Sequence, residues 1–492
     1  MSISSKDYIS TFADKTILVL GDSMVDVYLR GESSRLSPEA PVPVVDIHTR
    51  DMCPGGAANT VLTLCALGAR VHYISVVGDD HDGLWLQKTL AHAGANIEST
   101  IRVPHRHTLV KSRVMAGDHI LIRYDSGTHT PLDIGTEETL IEKIKTLYPS
   151  CDAVLISDYD KGIITPAVLQ TLTGLMDIQP RYFAVDSKRL SFFKPLEPSL
   201  VKPNYEEAIR LLHLPATSSS RVQQLSPFIG QLSSSTAADI TVVTLDNEGV
   251  LVIQPGSETY HAPALPVQSP QVAGAGDVFI STFLLAQLSN ADVKESTDIA
   301  LAAAAIAISK HGTASCSRHE LAAHFTQCEK CITSSEALRH MCLLYKAQGK
   351  RVVFTNGCFD ILHSGHVSYL NQARALGDVL IVGINNDESI RRIKGHLRPI
   401  NPLNDRIDVL AGLVAVDHIV AFGNENDDTP IPVIDVVRPH VFVKGGDYAG
   451  KSLPEASTVE RHGGRIVILP LLPDHSTSRI IDRVQQAHAL AG

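Results

Sequence analysis

The stretch Thr16-Ile-Leu-Val-Leu-Gly-Asp22 is a mostly apolar run that ends in a glycine and an aspartate. A short uncharged run of this kind is typical of a strand that is buried on both faces of a sheet. Similar runs recur downstream, separated by stretches with helical patterns, at residues 71–77, 153–156, 182–185 and 240–243. This alternation predicts an α/β fold, with a mostly parallel sheet covered by helices on both faces.

A second α/β unit begins near residue 351, where Val352-Val-Phe-Thr355 predicts a new strand. A helical pattern at 366–376 and another apolar run at 379–384 follow it. Residues 318–350 are polar and helical in pattern, without a strand signal, and indicate a connector. The sequence therefore predicts domains at 1–317 and 351–492, joined by a helical connector at 318–350.

The composition excludes several classes of protein. The 492 residues carry 43 Lys and Arg against 53 Asp and Glu, a net charge of −10, which argues against binding nucleic acid or anionic membranes. The longest apolar run, 299–308, is about half of the ~20 residues that a membrane span needs. Charges near the N-terminus argue against a signal peptide, and eight scattered cysteines suit the cytoplasm. Cys328 and Cys331 have metal-ligand spacing but no second pair, so we expect no structural metal.

Gly274-Ala-Gly-Asp277, followed by an apolar helical stretch, is the most informative motif of the first domain. Bare backbone N–H groups at a helix start, together with the helix dipole, favour an anion hole formed by Gly274, Ala275 and Gly276. Asp277 is placed to take a proton from an attacking hydroxyl group. The alternative is a plain loop-to-helix junction in which Asp277 only caps the helix.

Three further motifs favour the catalytic alternative. The glycine-rich Gly55-Gly-Ala-Ala-Asn59 precedes a helix, and Gly56 and Asn59 could contact sugar hydroxyls. Asp22 and Asp26 follow the first strand, where acidic side chains commonly bind polyols. Asn204 and Glu207 lie three residues apart, on one face of a helical turn, and could hold Mg²⁺ through water.

In this combination, residues 15–315 resemble the ribokinase-like carbohydrate kinases. The resemblance implies a three-layer kinase fold that uses ATP, with Asp277 as the base and 274–276 as the anion hole. It also implies a sugar pocket at Asp22, Asp26, Gly56 and Asn59, and ATP and Mg²⁺ contacts from Asn204 and Glu207. The family's acidic and hydroxyl residues before the glycine loop are Gln271 and Ala273 here, so the monovalent-cation site of relatives is in doubt.

The second domain carries Thr355-Asn-Gly-Cys-Phe-Asp360 and then His363-Ser-Gly-His366 between a predicted strand and helix. Two imidazoles three residues apart at a helix start can face an anionic ligand, although two surface histidines would give the same pattern. With the residues around them they resemble the nucleotidyltransferase superfamily of cytidylyltransferases and adenylyltransferases, which has a Rossmann-like fold. The resemblance implies catalytic roles for His363 and His366, and nucleotide contacts from Thr355, Asn356, Gly357, Phe359, Asp387, Lys394, Arg398, Lys444, Ser476, Thr477 and Ser478.

The order of the two domains narrows the resemblance, together with the segments 35–44, 398–402 and 443–447. The whole chain resembles the bifunctional enzymes that make ADP-heptose for the lipopolysaccharide inner core. The resemblance implies phosphorylation of D-glycero-D-manno-heptose 7-phosphate at O1, then adenylylation of the 1-phosphate by ATP. A homo-oligomer, with a homodimer favoured, is the prior for such an enzyme. Arg106, Lys111 and Arg113 are candidates to bind the 7-phosphate, and solvated surface charges are the alternative.

Two other hypotheses stay open at this point. One keeps both folds but joins a different sugar-phosphate kinase to a cytidylyltransferase. The other, prompted by Gln271 and Ala273, makes the first domain a sugar-sensing module with a decayed kinase site.

Overall fold

The structure is a computed structural model that describes residues 4–117, 119–217, 219–267, 274–310, 315–446 and 453–470, without the side chains of 327–329. The chain divides into two compact units, Met1–Ala323 and His324–Gly492, which are described one by one. Predictions that fall on Gln271, Ala273, Cys328 and 476–478 lie outside the described residues or side chains.

The strands of the N-terminal unit are β1 Thr16–Gly21, β2 Ser23–Leu36, β3 Pro43–Gly56, β4 Arg70–Ile74, β5 Val76–Gly78, β6 Ile101–Val103, β7 Leu109–Ala116, β8 His119–Ser126, β9 Ala153–Asp158, β10 Tyr182–Ser187, β11 Leu200–Val201, β12 Ile240–Thr244, β13 Val250–Ile253 and β14 Tyr260–Ala262. Its helices are α1 Ser5–Ser10, α2 Ala57–Ala66, α3 His81–His92, α4 Ile134–Leu147, α5 Pro166–Ile178, α6 Tyr205–Leu212, α7 Arg221–Leu225, α8 Ile229–Thr236, α9 Ala275–Leu288 and α10 Val293–Ile308, while α11 Arg318–Lys330 crosses the division between the units.

The main sheet has eight strands in the order β14-β13-β12-β11-β10-β9-β1-β4. The strands from β4 to β12 in this order run parallel, and β13 is antiparallel to both of its neighbours, β12 and β14. In the sheet, β4 lies next to β1 on one side, and β9, which comes later in the chain, lies next to β1 on the other side. In open α/β sheets, ligands bind outside the carboxyl ends of the strands at such a reversal point. The loops after β1 and β9 are therefore the expected position of a ligand site.

Helices cover this sheet because its strands are apolar on both faces. Leu18 and Leu20 of β1 and Ile156 of β9 pack against α4 and α5 in one buried cluster. Helix α9 packs against α2 and α10, and every residue from Asp277 to Ala286 is buried. A helix that is apolar all round is stable only inside a core, which explains why this segment carries so few polar residues. The buried α9 fixes the position of its own N-terminus.

A second sheet of four strands, in the order β3-β2-β7-β8, was not predicted from the sequence. Strand β2 is antiparallel to β3 and parallel to β7. All residues of β8 are exposed, so this strand is not one of the buried apolar strands that the sequence analysis identified. The predicted strand at 71–77 is also two strands, β4 and β5, interrupted at Ser75, and β5 pairs with β6 instead of the main sheet.

The C-terminal unit contains β15 Cys331–Ile332, β16 Val352–Gly357, β17 Val379–Asn385, β18 His418–Phe422, β19 Val441–Gly445 and β20 Arg465–Leu469, with α12 Ser335–Ala347, α13 Ser364–Arg374, α14 Asp387–Lys394, α15 Leu403–Ala411, α16 Ile431–Val437 and α17 Ala456–Arg461. Its six strands are all parallel, in the order β15-β18-β17-β16-β19-β20. The order reverses between β16 and β19, so the carboxyl end of β16 is the expected ligand position.

The segment predicted as a helical connector contributes to the C-terminal unit. Strand β15 pairs with β18 at the edge of the sheet, against the expectation that this segment holds no strand. In α12, Leu338 and Cys342 pack on the sheet face formed by Val352 and Phe354. Two residues are too short a strand to leave a pattern in the sequence, which explains why β15 was missed. Among the described residues, none of the helices is long and apolar enough to cross a membrane.

Candidate active sites

Asp277 lies in the first turn of α9, at the reversal point of the main sheet, and is almost completely buried. Its Oδ2 accepts a hydrogen bond of 2.6 Å from the side-chain amide of Asn59 in α2. Burial and the nearby charge of Asp186 raise the pKa of Asp277 to about 6. A carboxylate with a pKa near neutrality at a helix start is suited to general-base catalysis. The structure thus brings two predicted site residues, Asp277 and Asn59, together.

The predicted anion hole forms the start of α9. Gly274 is the N-cap, with a φ of +85° that favours glycine, and the helix begins at Ala275. A Cβ on Gly276 would lie 3.0 Å from Nζ of Lys202, so glycine leaves room for this ammonium group. Lys202 is buried and pairs with Asp186 at 3.1 Å. The helix start therefore has a fixed positive charge beside its free N–H groups.

Lys202 was missed by the sequence analysis. Burial alone would lower its pKa, but the carboxylates of Asp186, Glu207 and Asp277 raise it above the usual value. A buried charge is tolerated only where opposite charges surround it. The available signal was its position directly after the apolar Leu200-Val201, at the carboxyl end of a buried strand.

Tyr159 lies at the centre of the same pocket and was also missed. It follows β9, and its hydroxyl group donates to Oδ1 of Asp277 over 3.5 Å. The charge of Asp277 is the main cause that raises the pKa of Tyr159 well above its usual value, and Asp26, Asp186 and Glu207 add to it. Four carboxylates therefore converge around one tyrosine. Its position after the strand next to β1 was the signal that could have found it.

The two predicted sugar-binding aspartates have different surroundings. Asp26, on β2, forms an ion pair of 2.6 Å with Arg113 on β7 and is partly accessible. Asp22 is fully buried, and its Oδ2 accepts hydrogen bonds from the backbone N–H groups of Tyr159 and Lys161. Burial and the charge of Asp158 raise the pKa of Asp22 to about 6. The side chain of Asp22 thus holds the loop that carries Tyr159, and its contact with a sugar stays a prediction. Gly56 is the N-cap of α2, and Asn59 lies in the first turn of that helix.

Asn204 and Glu207 form a reciprocal cap at the start of α6. The amide oxygen of Asn204 accepts from the N–H of Glu207 at 2.8 Å, and the carboxylate of Glu207 accepts from the N–H of Asn204 at 2.9 Å. Burial and the charge of Asp186 raise the pKa of Glu207. Neighbouring carboxylates that repel one another are the donor set that Mg²⁺ prefers, so Asp186 and Glu207 fit such an ion.

Of the three residues predicted to bind a sugar phosphate, one makes hydrogen bonds to backbone groups and two lie near the other site residues. Arg106 is buried and donates to the carbonyl oxygens of Thr130 and Lys161, so it serves the fold. Lys111 and Arg113, on β7, face the pocket: the ammonium of Lys111 lies 5.2 Å from the ring centre of Tyr159.

In the C-terminal unit, His363 and His366 stand together at the start of α13, which follows β16. Their rings stack with centroids 3.9 Å apart, and His363 is the N-cap residue. Burial, then His363 and Lys394, lower the pKa of His366 to about 4, so this imidazole is neutral at physiological pH. The charge of the exposed Lys394 therefore acts on the imidazole of His366, as expected for residues of one binding site.

Some of the residues predicted to contact nucleotide are buried next to the histidine pair. Thr355 is fully buried, and its hydroxyl group is hydrogen-bonded to Tyr369 and to the carbonyl oxygen of Val443. Phe359 is buried, with its ring 5.3 Å from that of His366. The side chains of Thr355 and Phe359 are therefore buried in this structure, and their contact with nucleotide stays a prediction. Asn356 and Gly357 end β16 and are partly accessible.

Arg406, on α15, is an unpredicted buried cation under this site. Its guanidinium donates to Asp387 at 2.7 Å and to the carbonyl oxygens of Cys358 and Asn385 at 2.7 and 2.9 Å. Asp387, predicted to contact nucleotide, therefore carries a structural ion pair. The arginine joins the loop after β16 to the loop after β17, which fixes the carboxyl ends of these two neighbouring strands relative to each other.

Two predicted cations are paired with carboxylates. Arg398 forms an ion pair with Asp360, which also accepts from the backbone N–H groups of Ile400 and Asn401 at 2.7 and 3.1 Å. Lys444 is buried and pairs with Glu455 at 3.1 Å. Within the described residues, no cluster of three or more His, Cys, Asp and Glu side chains is arranged as a metal site.

Together, these features define two classes of transferase site in one chain. A buried base at a glycine-started helix, hydrogen-bonded to the asparagine of a second glycine motif, is the site of a carbohydrate kinase. Paired imidazoles at the reversal point of a parallel sheet belong to a nucleotidyltransferase.

Comparison with known families gives the same division. Residues 14–357 match the pfkB family of carbohydrate kinases, and residues 354–483 match the cytidylyltransferase-like family. The bifunctional protein HldE of Syntrophotalea carbinolica is 36% identical, over 97% of both chains. That of Helicobacter pylori is also 36% identical, over 96% of this chain and 99% of its own. The chain belongs to this family of bifunctional HldE proteins, and it is a transferase with a kinase and a nucleotidyltransferase activity.

Solved structures confirm the ribokinase-like fold of the first unit. Arabidopsis thaliana ribokinase, complexed with ribose and ATP, superimposes with a TM-score of 0.51 at 17% identity, over 62% of this chain and 97% of its own. Escherichia coli phosphofructokinase-2 gives a TM-score of 0.51 at 21% identity, over 63% and 99%. At these identities the likeness concerns the fold alone.

Proposed function

We propose that the N-terminal unit transfers the γ-phosphoryl group of ATP to O1 of D-glycero-D-manno-heptose 7-phosphate. After a separate phosphatase has removed the 7-phosphate, the C-terminal unit transfers an adenylyl group from ATP to the heptose 1-phosphate. The products are ADP-heptose, for the lipopolysaccharide inner core, and pyrophosphate. Membership of the HldE family over nearly the whole chain supports this proposal.

The kinase step rests on one observation, the position of Asp277. Its carboxylate takes the proton of the attacking hydroxyl group while the new O–P bond forms and the bond from the γ-phosphorus to the bridging oxygen breaks. The N–H groups of 274–276 and the ammonium of Lys202 stabilise the charge on the transferring group. Asn59 and Asp26 orient the sugar, and Asn59 also fixes the carboxylate through its 2.6 Å hydrogen bond.

Asp186, Asn204 and Glu207 would hold the Mg²⁺ ion of MgATP, directly or through water. When bound, this ion offsets the negative charge of the phosphates. The ion pair with Lys202 holds the carboxylate of Asp186 in position for this purpose.

The adenylyl transfer needs no covalent enzyme intermediate. A phosphate oxygen of the sugar phosphate attacks the α-phosphorus of ATP in line, and pyrophosphate leaves. His363 and His366 bind the triphosphate as hydrogen-bond donors, because a neutral imidazole still carries one N–H group. Lys394 and the loop that Asp360 holds at residues 398–401 supply positive charge and backbone donors at the opening.

We further propose that the enzyme acts in the cytoplasm as a homo-oligomer, with ATP and heptose phosphates as its only partners. Light scattering after size exclusion tests the oligomeric state: a mass of two chains supports the homodimer, and a mass of one chain, 53.1 kDa, excludes it.

Substrate assays test the proposed chemistry. Each step is measured with ATP and CTP and a panel of sugar phosphates that differ in chain length and configuration. We expect ATP in both steps, and heptose phosphates as the best acceptors. A preference for CTP in the second step would favour the alternative of a cytidylyltransferase. Sugar binding without release of ADP would favour the sugar-sensing alternative.

A further inference from the structure

The two oxygens of the Asp277 carboxylate have different surroundings. Oδ2 accepts the 2.6 Å hydrogen bond from the side-chain amide of Asn59. Oδ1 lies 3.5 Å from each of two hydroxyl groups, those of Thr60 on α2 and Tyr159 after β9. A short hydrogen bond to an ionised carboxylate stabilises the charge on the oxygen that accepts it, and makes this oxygen a weaker proton acceptor. Oδ1 is therefore the better placed oxygen to take the proton of an attacking hydroxyl group.

The hydroxyl group of Tyr159 is a hydrogen-bond donor in this contact. The charge of Asp277, and then burial, raise the pKa of Tyr159 well above its usual value, so the hydroxyl group keeps its proton at physiological pH. An ionised carboxylate can only accept. Catalytic hydrogen bonds commonly shorten when the substrate binds, so a contact of 3.5 Å suits a group that guides the base during the reaction.

Other contacts hold the Tyr159 side chain without using its oxygen. The backbone N–H of Tyr159 donates to Oδ2 of the buried Asp22 at 2.8 Å. The ammonium groups of Lys111 and Lys188 lie 5.2 and 5.6 Å from the centre of its ring, within the range of a cation–π contact. The ring can therefore keep its position when the hydroxyl group is removed.

The groups that act on the charge of Asp277 come from several elements of the first unit. Burial, and then the charge of Asp186 on β10, raise the pKa of Asp277 to about 6. The groups that lower it are Asn59, Lys202 and Tyr159. Asn59 binds Oδ2, whereas the hydroxyl group of Tyr159 contacts Oδ1. Tyr159 is thus the one of these three groups that donates a hydrogen bond to the oxygen assigned to the proton transfer.

We propose that Oδ1 of Asp277 receives the proton in the kinase step, and that Tyr159 is the positioning residue that directs this oxygen towards the attacking hydroxyl group. The inference rests on the proposed function, because it names the residue that orients the proposed base. The proton moves from the sugar hydroxyl group to Oδ1, the sugar oxygen bonds to the γ-phosphorus, and ADP leaves with the electron pair of the broken bond. Tyr159 keeps its own proton throughout and acts only through Asp277.

The test compares Tyr159→Phe with the wild type in the full-length enzyme, with kcat and KM of the kinase step measured from about pH 5 to about pH 9. Removal of the donor raises the pKa of Asp277, because a hydrogen bond to the charged form lowers it. We expect the acid limb of kcat/KM to move up from about pH 6 by roughly 0.5 to 1 pH unit. At about pH 8, where the base is ionised in both proteins, kcat falls roughly threefold to tenfold while the KM for ATP stays unchanged.

Two further variants serve as controls. Tyr260→Phe removes a hydroxyl group that bonds to Thr297 and to the carbonyl oxygen of Val293 in the same unit, and leaves kcat and the pH profile unchanged. Thr60→Val removes the other hydroxyl group near Oδ1. It moves the acid limb less than Tyr159→Phe does, because a threonine hydroxyl in a helix can also bond to a carbonyl oxygen one turn back. A merely structural loss lowers the rate equally at every pH and does not move the limb.

The outcomes separate the positioning role from the proposed function. A wild-type profile without an acid limb near about pH 6 would overturn Asp277 as the base, and the role of Tyr159 with it. A wild-type limb that stays in place in Tyr159→Phe would overturn the role of Tyr159 alone. A larger shift in Thr60→Val would also overturn it, since Thr60 would then direct the oxygen that accepts the proton.

Discussion

The side-chain amide of Asn59 donates a 2.6 Å hydrogen bond to Oδ2 of Asp277, and so connects the glycine-rich start of α2 to that of α9. The two glycine motifs are more than 200 residues apart in the chain, yet they form one site at the reversal point of the main sheet. The hydrogen bond lowers the pKa of Asp277, against the larger effect of burial. The orientation and the basicity of the catalytic carboxylate thus depend on one residue of the predicted sugar pocket.

The two activities should depend differently on pH. Asp277 acts as a base only when it is deprotonated, and its pKa is raised to about 6. We therefore expect the kcat/KM of the kinase step to fall about tenfold per pH unit below about pH 6. His366, with a pKa of about 4, stays neutral there, so adenylyl transfer loses nothing through this residue at about pH 5. Both steps are measured on one preparation. A kinase rate that stays constant down to about pH 5 would contradict the assigned base.

Gly276→Ala should impair the kinase step. The added Cβ would lie 3.0 Å from Nζ of Lys202, which cannot move away without lengthening its ion pair with Asp186. We expect kcat to fall by about tenfold or more, the cost of misplacing one charge-stabilising group. Gly174→Ala is the matched control, because its Cβ would meet nothing within 4 Å in α5. The control should keep full activity and gain up to about 1 kcal/mol in free energy of unfolding. Equal effects of both variants on kcat would refute the role of Lys202.

Arg406→Met should destabilise the C-terminal unit and leave the kinase intact. The change leaves the carbonyl oxygens of Cys358 and Asn385 and the carboxylate of Asp387 without their donor. We expect the free energy of unfolding of this unit to fall by about 3 kcal/mol. We also expect the variant to lose adenylyl transfer activity. Hydrogen exchange of β16 and β17 measures the loss, and Arg391→Met, on the exposed face of α14, is the control. Full adenylyl transfer in the Arg406 variant would show that the arginine is dispensable.

The sequence predicted those parts of the fold that depend on local pattern. Buried strands such as β1, β9 and β16 were recognised because each contains a run of at least three consecutive apolar residues. The glycine loops at 55–59 and 274–277 were recognised because bare backbone at a helix start has few other uses. The small sheet of β2, β3, β7 and β8 was not predicted, since β3 and β8 are exposed over much of their length.

The supporting residues of both sites depend on contacts between distant segments. Tyr159, Lys202 and Arg406 carry no motif, and only the fold shows which carboxylates surround them. Asp22 and Thr355 belong to the predicted motifs, and the structure adds that both side chains are buried. A periodic pattern indicates that a residue follows a strand, but it does not indicate which way the side chain points.

The central claim is that this chain holds two separate active sites, one around Asp277 and one around His366. The most direct test assays both steps in the full-length variants Asp277→Asn and His366→Ala. We predict that Asp277→Asn lowers the kinase rate by at least about 10²-fold and leaves adenylyl transfer unchanged, and that His366→Ala does the reverse. Loss of both activities in either variant, while it remains folded by circular dichroism, would contradict the claim.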